Sequence, residues 1–126
     1  MAENKAQQSN KKQEKEHALA VLYNKTIAYV MEHYMEADLN RFTISTALQC
    51  STRQLSRAFE GRPATLKSSI LLIRLHKGRE LIRKNPKWPV AKVARRLHFY
   101  DAKHFTRQYK KHFNRLPLED RNPQRE

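Results

Sequence analysis

Apolar positions along the chain take up a regular spacing only after about residue 17. Residues 1–17 (MAENKAQQSNKKQEKEH) are polar and charged and read as a disordered, low-complexity lead. Beyond them Leu19, Leu22, Tyr23, Ile27, Val30, Met31 and Tyr34 recur at spacings of three and four, one face of a helix over roughly 18–35. Asp38-Leu39-Asn40 interrupts it. A short helix follows with Phe42, Ile44, Ala47 and Leu48, then a turn at Gln49-Cys50.

Ser51 with Gln54 three residues later forms an S-x-x-Q capping box, opening a helix whose inner face is Leu55, Ala58 and Phe59. Gly61-Arg62-Pro63 closes it. Ile70, Ile73, Leu75, Leu81 and Ile82 support a long helix over 66–84, stopped by Asn85-Pro86. Pro89 suits a first helical position, with Val90, Val93, Ala94 and Leu97 facing inward. After a tight turn at His98-Phe99-Tyr100, Asp101 caps a last long helix to about 113, which Asn114 closes in a left-handed conformation. Arg115-Leu116-Pro117 then leads out to a short polar tail.

The predicted fold is all-α, about seven helices and no strands. A short helix leads through a tight turn into a capped second helix twice, the helix-turn-helix pattern. One unit lies in 18–65 and the other in 85–121. The helix over 66–84 connects them, and residues 122–126 form a tail.

The last long helix separates by chemistry. At about 100° per residue, Ala102, Phe105, Tyr109, His112 and Phe113 fall on one side, while Lys103, Thr106, Arg107 and Lys110 fall on the other. In a major groove such a helix sets its N-terminal residues at base edges. There Arg107 can fork onto a guanine, Thr106 can meet a thymine methyl and Lys103 can reach a base or a phosphate. The first copy presents Arg53, Gln54, Ser56 and Arg57. Gln54 can serve either its own cap or DNA, and both uses remain open. Leu55-Ser56-Arg57-Ala58-Phe59 and Phe105-Thr106-Arg107-Gln108-Tyr109 share the order apolar, hydroxyl, Arg, any, aromatic.

Charge sharpens this picture. Residues 1–61 carry eight Lys/Arg against seven Asp/Glu, whereas 62–115 carry sixteen against two, so the net +14 sits in one contiguous half. A surface that meets phosphate has this asymmetry. Apolar residues make up 39% of the chain, a lean core that several short helices can bury, and two glycines among 126 residues argue against a turn-rich β fold.

Residues 89–121 (PVAKVARRLHFYDAKHFTRQYKKHFNRLPLEDR) resemble the second helix-turn-helix and trailing signature of the AraC/XylS transcription regulators. The matched positions are Val93-Ala94, Phe99, Phe105, Arg107, Tyr109-Lys110, Phe113, Pro117 and Arg121. With the first copy and Arg74-Leu75, the resemblance extends over about residues 25–121. No sensing domain is seen, which is similar to the short, stand-alone activators of the multiple-antibiotic-resistance and superoxide-response type. The resemblance implies a monomer whose two reading helices enter successive major grooves on one face of double-stranded promoter DNA. It also implies RNA polymerase as a second partner. Carried over by position, the contacting sites are Arg53, Gln54, Ser56, Arg57, Ala102, Lys103, Thr106 and Arg107. The outward face adds Lys110. Independently, a 19-residue connecting helix is about 28 Å long, a suitable strut for grooves about 34 Å apart.

Several residues depart from the family pattern. Gln49 and His98 stand where the turns usually hold glycine, and a left-handed backbone there costs each about 1 kcal/mol. Gly78 lies inside the connecting helix at a similar cost of about 1 kcal/mol. Arg41 falls where an apolar residue is frequent, and Ala102 can offer at most a methyl contact.

No catalytic constellation is present: there is no Gly-rich phosphate loop and no H-E-x-x-H, and the S-x-x-K match at Ser9–Lys12 lies in the lead. An enzyme is not expected, nor any cofactor. His98, His104 and His112 are not at metal-ligand spacings, and Cys50 is alone, so no metal site is expected either. A lone cysteine, no signal peptide and no apolar run long enough to cross a membrane predict a soluble, cytoplasmic, nucleoid-associated protein. Two other functions fit parts of the pattern. A non-specific architectural nucleic-acid binder fits the charge, but not the two capped reading helices. A protein-interaction module acting on RNA polymerase or another regulator leaves Arg57, Thr106 and Arg107 without a role.

Overall fold

The computed structural model describes residues 2–121, with side chains from Ser9 onward. Seven helices follow one another: α1 (Ala2–His33), α2 (Arg41–Ala47), α3 (Thr52–Ala58), α4 (Leu66–Lys84), α5 (Val90–Arg96), α6 (Ala102–Phe113) and α7 (Pro117–Arg121). Among the described residues there is no strand, and no helix is long and apolar enough to cross a membrane.

Local chemistry explains most boundaries. Asn40 Oδ1 accepts from the N–H groups of Phe42 and Thr43, while the Asn40 N–H donates back to Thr43 Oγ1, a reciprocal box that starts α2. The expected box at α3 is present: Ser51 Oγ accepts from the Gln54 N–H, and Gln54 Oε1 accepts from the Ser51 N–H. Thr65 caps α4 and Asp101 caps α6 through the His104 N–H at 2.7 Å. Asn114 ends α6 with φ 58°, the left-handed stop that asparagine tolerates. Pro89 stands one position earlier than expected. It is the N-cap of α5, with extended backbone and no side-chain cap bond.

Two cores are built on one strut. Val30, Ile44, Leu55, Phe59 and Ile70 anchor the first, and Leu75, Ile82, Val93, Leu97, Phe105 and Tyr109 the second. Helix α4 supplies residues to both, so the two helix-turn-helix units share a rigid element. Gly78 explains itself here. A Cβ at this position would lie 2.9 Å from Phe105 Cε2 and 3.0 Å from Leu97 Cδ1, so the glycine lets α6 close onto α4.

Four expectations need correction. The lead over residues 1–17, expected to be disordered, is helical from Ala2, as the N-terminal part of α1; Met1 lies outside the described residues. Every side chain from Ser9 to Ala18 is exposed. The lead's Ala, Gln, Glu and Lys are good helix formers, and it extends an existing helix without a new nucleus. Beyond Leu116 the polar lead-out begins as α7; the expected tail over 122–126 lies outside the described residues. Met31, counted on the apolar face of the helix over 18–35, is 50% exposed, and Phe42, named among the apolar positions of the next helix, is 60% exposed. His112, placed inward on α6, is exposed against α4, with its Nε2 3.2 Å from that of His76.

Candidate nucleic-acid interface

In each unit the second helix buries one face and offers the other. On α3, Leu55 and Ala58 are buried, while Arg53, Gln54, Ser56 and Arg57 are exposed. On α6, Phe105 and Tyr109 are fully buried, Lys103, Arg107 and Lys110 are exposed, and Ala102 and Thr106 are half-buried at the margin of that face. Arg57 and Arg107 each stand six residues after their N-caps, Ser51 and Asp101, so the two copies place an arginine at the same level of the helix. Among the described residues none of Arg53, Arg57, Lys103, Arg107 and Lys110 is ion-paired. Unneutralised cations on an exposed helix face are suited to a polyanion. Gln54 uses its carbonyl oxygen in the α3 cap, which leaves its amide nitrogen as the group free to meet an outside acceptor.

The turns ahead of these helices hold the strained residues. Gln49 has φ 56° and His98 has φ 59°, both in the left-handed region where a side chain costs about 1 kcal/mol. His98 gains something in return: its Nε2 lies 2.6 Å from the Met35 carbonyl, a hydrogen bond of about 0.5–1.5 kcal/mol across 63 residues. The second turn is also one residue longer than the first. The additional residue is Tyr100, 91% exposed immediately before the Asp101 cap.

Beneath α6 lies a buried polar cluster. Asp120 of α7 is fully buried and accepts a hydrogen bond from the Tyr109 hydroxyl. Arg115 Nε donates to it at 3.1 Å and an Arg83 terminal nitrogen lies at 3.5 Å. Arg79 Nε, 3.3 Å away, makes a charge contact without hydrogen-bond alignment. Burial alone raises the Asp120 pKa, but the Tyr109 hydroxyl and the guanidiniums of Arg79, Arg115 and Arg83 outweigh it and hold the carboxyl below its usual range. Burial, then the hydrogen bond to Asp120 and its charge, push the Tyr109 hydroxyl far above the usual tyrosine value. The cluster fixes α7 against α6 and so sets the orientation of the exposed face.

This architecture agrees with comparisons to known proteins. A family model for a helix-turn-helix domain matches residues 44–122. The chain belongs to the AraC-type helix-turn-helix family. A transcriptional regulator from Chromobacterium violaceum with an AraC-type DNA-binding domain is similar at TM-score 0.70 and 26% identity, over 77% of this chain and 87% of that one. The C-terminal domain of AraT, a response regulator from Geobacillus stearothermophilus, is similar at 0.69 and 21% identity, over 81% and 84% of the two chains. A probable AraC family transcriptional regulator from Rhodopseudomonas palustris is similar at 0.69 and 20% identity, over 81% and 95%. No curated protein matches the sequence.

The AraC-type match begins at Ile44, so α1 lies wholly outside it. Within the AraC-type domain the residues not anticipated from sequence are Lys92 and Arg96. Lys92 Nζ lies 4.2 Å and Arg96 Cζ 4.8 Å from the centre of the Trp88 ring, and neither is ion-paired among the described residues. Like charges at this spacing on one helix repel, and the indole face offsets part of that. The signal was a tryptophan followed by basic residues four and eight positions later. Arg121, matched only as part of the family signature, donates to the Trp88 carbonyl at 2.8 Å and ties α7 to the same loop.

Proposed function

We propose that this AraC-type protein is a sequence-specific transcription regulator that binds double-stranded DNA as a monomer, with α3 and α6 in successive major grooves. Arg57 and Arg107 fork onto guanine edges, Ser56 and Thr106 meet neighbouring bases, and Arg53, Lys103 and Lys110 reach bases or phosphates. Gln54 contributes through its amide nitrogen, and Ala102 contributes a methyl surface. Activation through contact with RNA polymerase is the outcome that the family resemblance favours.

One observation carries this reading: two capped, exposed, basic helices stand on a single 19-residue strut, each with an arginine at the same level. A strut of about 28 Å is close to the groove repeat of about 34 Å. The test is selection of bound sequences from random double-stranded DNA at physiological salt, followed by footprinting and measurement of stoichiometry. An asymmetric two-part motif with halves about 10 base pairs apart, bound by one chain, is expected. A palindrome bound by two chains overturns the monomer geometry, and no enrichment overturns sequence reading.

A further inference from the structure

Three consecutive carbonyls just past the end of α1 are held by side chains from elsewhere in the fold. Arg74 of α4 donates from Nε to the Tyr34 carbonyl at 3.0 Å and from a terminal nitrogen to the Glu36 carbonyl at 2.8 Å. The carbonyl between them, that of Met35, is bonded by His98 from the turn that launches α6. This loop belongs to both halves of the molecule. Tyr34 packs against the second core and lies under Lys77, whereas Leu39 is buried in the first.

His98 is well placed to transmit that hold. Leu97 before it and Phe99 after it are both buried in the second core, and the α6 cap follows at Asp101. Fixing the His98 ring against Met35 therefore fixes where α6 starts relative to the first unit. Strain in the turn and the bond gained nearly cancel, so the histidine adds little stability over a glycine. What it adds is a tie between the two units.

We propose that the His98–Met35 hydrogen bond sets the separation of the two reading helices, making His98 a positioning residue that determines which spacing of half-sites is accepted. This rests on the reading that α3 and α6 occupy successive grooves of one site.

The test compares wild type, His98→Gly and His98→Asn. Glycine relaxes the turn, and asparagine tolerates the left-handed backbone but is too short to reach Met35. Affinity is measured on the selected site and on versions with the gap lengthened or shortened by one base pair. Wild type is expected to lose about ten-fold or more on either altered gap, because simultaneous engagement is lost. Both variants are expected to hold the original site within about three-fold and to lose about three-fold or less on the altered gaps.

A second readout needs no DNA. Spin labels at Glu60→Cys, in the turn just past the end of α3, and at Lys111→Cys on α6, in a Cys50→Ser background, report the separation of the two units. One narrow distance is expected with His98, and a broadened distribution with His98→Asn. Unchanged gap penalties or an unchanged distribution overturns the proposal, as does an effect of glycine that asparagine does not share. If wild type itself is indifferent to the gap, the two-groove reading fails together with it.

Discussion

The Tyr109 hydroxyl donates to the Asp120 carboxylate between two fully buried side chains, and this bond joins the helix that faces outward to the short helix behind it. Three arginines from two other segments, Arg79 and Arg83 of α4 and Arg115 of the α6–α7 turn, gather around the same carboxylate. The second unit is therefore held by a buried, arginine-paired anion as well as by apolar contacts. That matters in a chain whose net charge is +14 and whose basic residues crowd this half.

Opposite pKa shifts in this pair predict two limbs of pH dependence. Asp120 has a lowered folded pKa, so its contribution is complete above the ordinary carboxyl range near ~4 and is lost as pH falls through the folded value. Tyr109 has a raised folded pKa, so its contribution is complete below the ordinary value near ~10 and is lost as pH rises through the folded value. Tyr109→Phe is expected to cost about 1–3 kcal/mol at neutral pH and to flatten the alkaline limb. Asp120→Asn is expected to flatten the acid limb. Denaturant unfolding across the pH range checks both, and an alkaline limb unchanged in Tyr109→Phe sinks the assignment.

Gly78→Ala separates helix propensity from close approach. Alanine is favoured over glycine in a helix interior by about 1 kcal/mol, so a free helix would be stabilised. Here the new methyl would lie 2.9 Å from Cε2 of the fully buried Phe105 ring, so the ring or the helix must shift to admit it. A net destabilisation of about 1–3 kcal/mol is expected, read as a lower denaturation midpoint. A rise in the midpoint would show that α6 can move off α4.

What the sequence made legible was whatever rests on neighbouring residues. The Ser51–Gln54 box, the Asp101 cap and the Asn114 stop are contacts within four residues, and the periodicity of α4 is a property of its own stretch. What stayed hidden depends on distant partners. The Gly78 position makes sense only against Phe105, His98 only against Met35, and Asp120 only against Tyr109 and α4. The lead misled for a different reason: low hydropathy fits both disorder and an exposed helix, and propensity decides between them. On the candidate interface, the outward set on α3 and α6 followed from helical geometry. Lys92 and Arg96 did not, because their common feature is a ring outside their own helix.

Trp88 with its two cations predicts a separable phosphate contact. In a helix-turn-helix the first helix crosses the DNA backbone, and α5, the first helix of the second unit, carries Lys92 and Arg96. Lys92→Ala and Arg96→Ala are each expected to reduce the salt dependence of DNA binding by about 0.9 in the logarithmic slope, with no change in sequence preference. Trp88→Leu keeps both charges but releases them from the ring, and is expected to weaken binding by about 1 kcal/mol or less with the slope retained. Titrations at several salt concentrations on cognate and scrambled DNA decide this, and slopes unaltered by the two alanine variants exclude the contact.

Arg107 and Lys110 lie one turn apart on the same exposed face of α6, yet their chemistry predicts different losses. The guanidinium of Arg107 presents a fork that matches the two acceptors of a guanine edge, so Arg107→Ala is expected to weaken the cognate site by about 1–3 kcal/mol and to relax preference at one base pair. Lys110 is a single mobile charge farther from the helix start. Lys110→Ala is expected to weaken cognate and scrambled DNA alike and to lower the salt slope by about one. Gln54→Ala supplies a third pattern. Its oxygen serves the α3 cap, so the variant is expected to lose about 1 kcal/mol of stability with a smaller change in sequence preference than Arg107→Ala. Binding to a panel of single-base variants, alongside unfolding midpoints, distinguishes the three. Equal losses on cognate and scrambled DNA for Arg107→Ala and Lys110→Ala would favour a protein that binds DNA by charge alone.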